Sequence, residues 1–237
     1  MNLFSSILVN LKIIFYSIFT ALILIFIFST VIFLFQFIFI TNFTLNLMNL
    51  NFWLILLSPL LFTGLYTFCW MIFVFIHSKI IVPVFLGSLK TGKYSLNDAK
   101  TKLLAVRLSA DQTARMMLIP LDFMPLIVNR YLRPHFLRSY GAKIGENSYI
   151  SRDSKIDACS LIRLGKNIVV GQLSVVSCHY IAKNELVLND VTIGDNVTIG
   201  DYSLILPGSV IENDVILGMK SIIPKKHILH DSIIQQI

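Results

Sequence analysis

Charge is nearly absent from the first third of this 237-residue sequence. No Asp, Glu, Lys or Arg occurs between Lys12 and Lys79. Within that region, Ile13–Ile40 and Phe52–Ile76 are almost uninterrupted apolar runs. Each is long enough to cross a hydrocarbon core of about 30 Å, which takes about 20 residues. The length of the first run and the presence of a second argue against a cleaved signal peptide. The sequence therefore predicts two transmembrane helices, joined by a loop at Thr41–Asn51.

Cysteine is also scarce, and its three residues form no recognisable pattern. Cys69 lies in the second apolar run, whereas Cys159 and Cys178 lie far along the chain. No CxxC pair and no His-rich zinc spacing occurs in the sequence. We therefore expect neither a disulfide framework nor a metal site.

Basic residues are concentrated just after the second apolar run. Residues 79–143 hold eleven basic and three acidic residues, whereas residues 144–237 hold eight and ten. Because basic residues favour the cytoplasmic side of a membrane, the sequence predicts that both termini and everything after the second span are cytoplasmic. Attraction to anionic lipid headgroups accounts for this basic excess, so nucleic acid is not expected as a partner.

The basic segment begins with a predicted helix over Leu96–Met117, capped by Ser95 or Asn97. An apolar, arginine-containing stretch follows and is divided by Pro120, Pro125 and Pro134. Its composition suits elements that lie along the membrane surface. It also suits a cap that closes the end of a repeat array.

An aliphatic residue returns at every sixth position from Ile144 almost to the C-terminus, apart from two breaks. The frames are IGENSY, ISRDSK, IDACSL, LGKNIV, VGQLSV, VSCHYI, IGDNVT, IGDYSL, ILPGSV, IENDVI, LGMKSI and IPKKHI. Since six is a multiple of two, each frame can be a short strand whose first side chain points inward. Gly, Asn and Asp near the bends suit left-handed backbone conformations. Three frames would form one coil, and stacked coils would bury a column of Ile, Leu and Val. An ordinary β-sandwich gives no reason for so strict a repeat.

This pattern predicts an α + β chain with about four coils. The coils are residues 144–161, 164–181, 193–210 and 211–228. The intervening residues 182–192 fall out of register and read as a loop leaving the coil. The predicted domains are a transmembrane helical hairpin at 1–78, a basic linker or cap at 79–143, and a parallel β-helix at 144–237.

His179 is the predicted catalytic residue because it lies three residues before this loop. A neutral imidazole can take a proton from an alcohol or amine near neutral pH. If the coils stack in register across the loop, Cys159 and Gly208 lie in the layers on either side. Gly208 would then leave room for a ligand beside the imidazole. The alternative is a surface histidine without a role.

The hexads, especially VVSCHY followed by VTIGDNVTIGDYSLILPGSVI, resemble the hexapeptide-repeat acyltransferases with a left-handed parallel β-helix. The resemblance implies left-handed coils, a histidine base beside the loop, and acetyl-CoA or another acyl-CoA bound between subunits of a homotrimer. His179 occupies the matching position. For cofactor binding the resemblance points to Gly208, Lys220, Lys225 and Lys226, and for acceptor binding or orientation of the histidine to Asn184, Glu185 and Asn189.

A narrower resemblance covers Lys79–Ile223, where RYLRPHFLRSYGAKIG leads into the hexads. This segment is similar to the membrane-embedded C-terminal modules of polyamino-acid synthetases such as poly-lysine synthetase. Three functions therefore stay open. The first is a membrane-anchored acyltransferase acting on a hydroxyl or amine of a small-molecule or lipid-linked acceptor at the bilayer. The others are an amide-forming or assembly module, and a noncatalytic membrane scaffold. A zinc site like that of carbonic-anhydrase-related β-helices needs three histidines, and only His179 is suitably placed.

Overall fold

The computed structural model describes residues 3–46, 52–116, 118–122, 124–229 and 233–234. The helices are α1 (Leu3–Asn46), α2 (Phe52–Ile76), α3 (Ala99–Met116), α4 (Pro125–Ile127) and α5 (Arg133–Ser139). π-Helical turns extend α2 over His77–Leu86 and join α4 to α5 over Val128–Leu132, and 3₁₀ turns lie at Ile119–Leu121 and Cys159–Leu161.

Two of these helical segments, Ser6–Ile38 and Leu60–Leu86, are long and apolar enough to cross a membrane. Large apolar side chains cover their outer surfaces; Phe26, for example, is 71% exposed. A helix that is apolar on all sides is typical of a membrane span. The predicted loop at 41–51 is wrong in its first half, because α1 continues through residue 46. Residues 47–51 lie outside the described part of the chain.

The linker helix α3 begins at Ala99, three residues later than predicted. Its cap is Asp98 rather than Ser95 or Asn97, since Asp98 Oδ1 accepts a hydrogen bond from the Lys100 backbone N–H at 3.2 Å. A carboxylate at this position satisfies one of the backbone donors that the first turn of a helix leaves unpaired.

The C-terminal region winds through three parallel sheets, one on each face of a prism. The first face holds β2 (Lys143–Ile144), β5 (Ile162–Leu164), β10 (Val191–Ile193), β13 (Val210–Ile211) and β16 (Ile228–Leu229). The second face holds β3 (Tyr149–Ile150), β6 (Val169–Val170), β11 (Thr198–Ile199), β14 (Ile216–Leu217) and β17 (Ile233–Ile234). The third face holds β4 (Lys155–Ile156), β7 (Val175–Val176), β12 (Leu204–Ile205) and β15 (Ile222–Ile223).

The column of aliphatic side chains predicted from the hexads fills this prism. Of the twelve residues that open a frame, all but Ile144 are buried. Ile193, Ile199, Ile205 and Ile211 are each at most 1% exposed. Each coil covers the apolar residues of the next, so no single coil could be stable alone. The β-helix predicted from the period of six is confirmed.

The turns use asparagine and glycine for two different purposes. Asn147, Asn167 and Asn196 adopt the left-handed conformation, with φ between 55° and 59°. The glycine that follows many lead residues does not, which corrects the expectation that these glycines serve the bends. A Cβ on Gly165 would lie 2.6 Å from the backbone carbon of Gly194 in the next coil. Glycine is needed there because adjacent coils approach too closely for a side chain.

The stretch between α3 and the first coil forms the end cap. Phe136 and Leu137 of α5 are buried over the first coil. Arg133 binds Asp122 at 2.8 Å and donates from Nε to Asn129 Oδ1 at 2.9 Å. Asn129 in turn donates to the Tyr149 hydroxyl, in strand β3, at 3.0 Å. These contacts satisfy the polar groups of a cap that shields the apolar interior of the first coil from water.

Candidate active site

The segment predicted as a loop is a β-hairpin that leaves the prism. Strands β8 (His179–Ala182) and β9 (Glu185–Leu188) pair in antiparallel fashion, with Lys183 and Asn184 at positive φ in the turn. Its start corrects the predicted boundary, since the second coil ends at Cys178 and not at residue 181. The coil resumes at Asn189, directly after the hairpin. Its backbone N–H donates to the Cys178 carbonyl at 2.9 Å and so closes the base of the hairpin.

The linker supplies a third strand to this hairpin. Strand β1 (Gly92–Ser95) pairs with β9 in antiparallel fashion, and the Leu96 N–H donates to the Asn184 carbonyl at 3.0 Å. The edge of β9 that would otherwise face solvent is therefore covered by chain that directly precedes α3. The hairpin is held between the linker and the prism.

His179 lies at the base of the hairpin and faces a buried carboxylate from the preceding coil. Its Nδ1 is 3.0 Å from Asp157 Oδ2, although the ring N–H is not aligned for a hydrogen bond. The His179 side chain is 32% exposed, whereas that of Asp157 is only 6% exposed. A buried carboxylate beside one ring nitrogen helps to fix the orientation of an imidazole.

Asp157 is itself held by two donors. Its Oδ1 accepts from the Cys178 backbone N–H at 2.9 Å, and its Oδ2 accepts from Ser177 Oγ at 3.0 Å. These two hydrogen bonds fix the position of the buried carboxylate. Sequence reasoning missed Asp157. The available signal was an acid in IDACSL, the frame one coil before the histidine frame VSCHYI.

Cys178 is unsuited to act as a nucleophile. Burial, with a further contribution from the negative charge of Asp157, raises the pKa of the Cys178 thiol far above its ordinary value. Only the thiolate is a strong nucleophile, so this residue stays protonated and inert. His179, next to it in sequence, carries an imidazole that can move a proton here.

A cleft of about 490 Å³ opens beside the imidazole. Lys155, Asp157 and His179 line it on the prism side. The opposite wall comes from α3, through Leu108 and its neighbours, and the hairpin contributes further apolar side chains. Pockets that bind small molecules typically have volumes of about 300–1,000 Å³, mostly apolar walls and a few convergent polar groups. The cleft has this character.

Gly208 does not stack on His179, which corrects the register expected across the loop. The Gly208 N–H donates to the Asp190 carbonyl at 2.9 Å, and a Cβ on Gly208 would meet Lys226 and Asn189. The physical reason is that residues 179–188 leave the coil. The chain re-enters one layer from Gly208 with Asn189 and Asp190.

The other predicted binding residues are spread around the prism. Asn184 and Glu185 lie at the far end of the hairpin, about 10 Å from its base at 3.3 Å per residue. Asn189 lies at the base, where its buried Nδ2 has no hydrogen-bond partner among the described residues. The Lys225 ammonium lies 3.5 Å above the Tyr180 ring, next to His179 in sequence. Lys220 is exposed in a turn of the fourth coil, where its N–H donates to the Asp201 carbonyl at 2.7 Å.

Within the described residues, no group of three His, Cys, Asp or Glu side chains could hold a metal ion.

Comparison with known proteins agrees with the repeat. Residues 190–225 match the family model described as bacterial transferase hexapeptide (six repeats). No curated protein matches the chain. The solved structures that resemble it include a maltose O-acetyltransferase from Clostridium difficile 630, at 19% identity over 58% of this chain and 84% of that one, with a TM-score of 0.41.

Two further solved structures are similar. Serine acetyltransferase isoform 3 from Entamoeba histolytica is 17% identical over 78% of this chain and 69% of that one, with a TM-score of 0.29. The N-acyltransferase AntD from Bacillus cereus is 16% identical over 43% of this chain and 82% of that one, with a TM-score of 0.26. These identities and TM-scores are low, so the likenesses carry no conclusion about activity.

Proposed function

We propose that this chain, whose C-terminal part is a β-helix of hexapeptide repeats, is a membrane-anchored acyltransferase. It moves an acyl group, most simply acetyl, from acyl-CoA to a hydroxyl or amine of a membrane-associated acceptor. The observation that carries the proposal is the placement of His179 against the buried Asp157, in a cleft at the base of the hairpin. This arrangement is suited to general base catalysis.

The proposed reaction proceeds by direct transfer. With Nδ1 turned to Asp157, His179 has Nε2 left to accept the proton of the acceptor hydroxyl or amine. The acceptor oxygen or nitrogen attacks the thioester carbon, the new C–O or C–N bond forms, and the C–S bond breaks. The proton then passes from His179 to the departing thiolate of CoA. Asp157 stabilises the transient imidazolium without itself taking the proton.

Other polar groups support binding on either side of the imidazole. Asn189, at the base of the hairpin, is proposed to orient the acceptor or His179. Lys225, held above Tyr180, and the exposed Lys220 are the proposed contacts for CoA phosphates. A homotrimer with CoA bound between subunits is part of the same proposal.

The two apolar helices support membrane anchoring. The basic excess of residues 79–143 favours a cytoplasmic position for the β-helix and both termini. An amine acceptor would make the product an amide, which is the chemistry of the synthetase-like alternative. The scaffold alternative requires that the cleft turn over no substrate at all.

The decisive experiment is acyl transfer by the full chain in its membrane. Acetyl-CoA labelled in the acetyl group is supplied to membranes containing the protein, and label incorporated into membrane compounds is measured. Replacing His179 with Asn should lower incorporation by about 10²–10⁴-fold, the usual contribution of a general base. His227→Asn is the matched control, since His227 is an exposed histidine in the last coil. Full incorporation by His179→Asn membranes would refute the proposal.

A further inference from the structure

The cleft beside His179 is apolar over most of its wall. Ala105 and Leu108 of α3 form one side, and Ile181 and Leu186 of the hairpin form another. None of these four side chains can hydrogen-bond to an acceptor. The other lining residues are Ser109, whose hydroxyl donates to the Val106 carbonyl, and Lys155, Asp157 and His179 on the prism side. Sugars and amino acids, in contrast, need several buried hydrogen-bonding partners.

The apolar wall is incompletely covered. Ile181 is 65% exposed, Ala105 is exposed and Leu108 is half-buried. An aliphatic chain laid into the cleft would remove this surface from water, which is favourable in proportion to the apolar area buried. The polar end of the cleft, at His179, would stay in contact with the reacting hydroxyl or amine of the acceptor.

The same helix that forms the wall also packs on the apolar helices. α3 contacts α1, α2 and the π-helical segment His77–Leu86. Leu104 and Arg107, which directly precede the cleft residues Ala105 and Leu108, are buried. Arg107 Nη2 donates to the Tyr140 carbonyl at 3.5 Å. Helix α3 therefore lies between the candidate spans and the cleft.

We propose that the acceptor is a single-chain amphiphile, whose alkyl chain lies between α3 and the hairpin while its hydroxyl or amine sits at His179. This inference rests on the proposed acyl transfer and names the acceptor class for it. With an acetyl group on the donor, as proposed above, the alkyl chain belongs to the acceptor. Ala105 and Leu108 act as specificity residues, and His179 keeps its role as base.

Binding is tested first, because it does not require turnover. The full chain in phosphatidylcholine nanodiscs is photolabelled with a dodecylamine that carries a diazirine in its chain, and labelled peptides are mapped by mass spectrometry. We expect label on α3 and the hairpin, competed by dodecylamine but not by ethylamine. Ala105→Phe should reduce this label about tenfold by filling the cleft. Lys102→Phe, which adds the same ring to an exposed site of α3 outside the cleft, should leave it unchanged.

Transfer is tested second, with acetyl-CoA as donor and either dodecylamine or ethylamine as acceptor. We expect Ala105→Phe to lower kcat/KM for dodecylamine about tenfold or more and to leave ethylamine nearly unchanged. Equal kcat/KM for both amines, with neither altered by Ala105→Phe, would overturn the inference while the acyltransferase function stands. A change in preference among acyl-CoA chain lengths would also overturn it, since the cleft would then hold the donor.

The two proposals fail differently. Labelling is expected to persist in His179→Ala, because the imidazole is not part of the apolar wall. If label maps to the cleft but no amine is acetylated, acyl transfer to these amines is refuted and the binding inference holds. If label maps only to α1 and α2, the cleft does not bind the chain and the inference fails.

Discussion

Replacing Gly200 with alanine is expected to destabilise the β-helix sharply, although the change adds only one methyl group. A Cβ at this position would lie 2.5 Å from the backbone carbon of Gly218 and 2.6 Å from the Met219 nitrogen. Carbon atoms pack best about 3.5–4.0 Å apart, so the third and fourth coils would have to separate by about 1 Å. That separation would also stretch the hydrogen bond from the Gly200 N–H to the Leu217 carbonyl, now 2.9 Å.

The expected loss of free energy of unfolding follows from two opposing effects. Overpacking of a well-packed interior costs about 1–3 kcal/mol. Alanine also restricts the unfolded chain, which at an unstrained site would add about 0.4–1 kcal/mol of stability. Because the added Cβ would meet backbone atoms, which cannot rotate away, the cost lies near the upper end of the overpacking range, and the net loss should be about 2 kcal/mol. For a unit of about 60–100 residues each kcal/mol shifts Tm by about 4–8 °C, so a fall of about 10 °C is expected.

The assay is thermal unfolding of the full chain in detergent, followed by the circular dichroism of the strands. Gly64→Ala is the control, because a Cβ at Gly64 in α2 would meet nothing within 4 Å. It should leave the unfolding temperature of the strands unchanged. If Gly200→Ala unfolds at the same temperature as the parent or above it, the coils do not approach as closely as the structure places them.

Two further substitutions test the turns and the cap. Leu173 is 48% exposed and has φ of 55°, so Leu173→Asn should stabilise the protein by up to about 1 kcal/mol, measured as a higher Tm, because Asn tolerates this conformation better. An unchanged or lower Tm would contradict this account of the turn. Arg133→Ala should cost about 3 kcal/mol in denaturant unfolding, near the lower limit for breaking a buried ion pair, because Arg152 stays 3.3 Å from Asp122. A loss below 1 kcal/mol would show that the cap is held mainly by its apolar contacts.

The burial of the lead side chains in the prism could be predicted because the six-residue pattern repeats along the chain. Eleven of the twelve lead residues meet the same buried environment, so Ile199 and Ile205 can be assigned to the interior from spacing alone. The end cap was also open to prediction, since a repeat array needs one and the segment before the first frame is apolar and proline-rich. The residues that seal it, such as Asp122, give no periodic signal.

The candidate site could be predicted only in part, because its parts come from separate layers. His179 stood out through its position beside the break in the repeat. Its partner Asp157 could not be assigned, since the pairing depends on how one coil is offset from the next. For the same reason the six-residue spacing predicts Gly208 beside the imidazole. In the structure, Asn189 and Asp190 re-enter the coil one layer from Gly208. The wall formed by α3 lies about seventy residues upstream in sequence, with nothing in its composition to connect it to the hairpin.

The pairing of β1 with β9 has a practical consequence for anyone who isolates the β-helix of this molecule. A fragment trimmed to begin at the first hexad would lack the strand that borders the hairpin and the helix that closes the cleft. Such a fragment could fold as a stable stack of coils, yet its cleft would lack the α3 wall and the edge of β9 would be unpaired. Inactivity of a truncated domain would thus say nothing against catalysis by the intact protein.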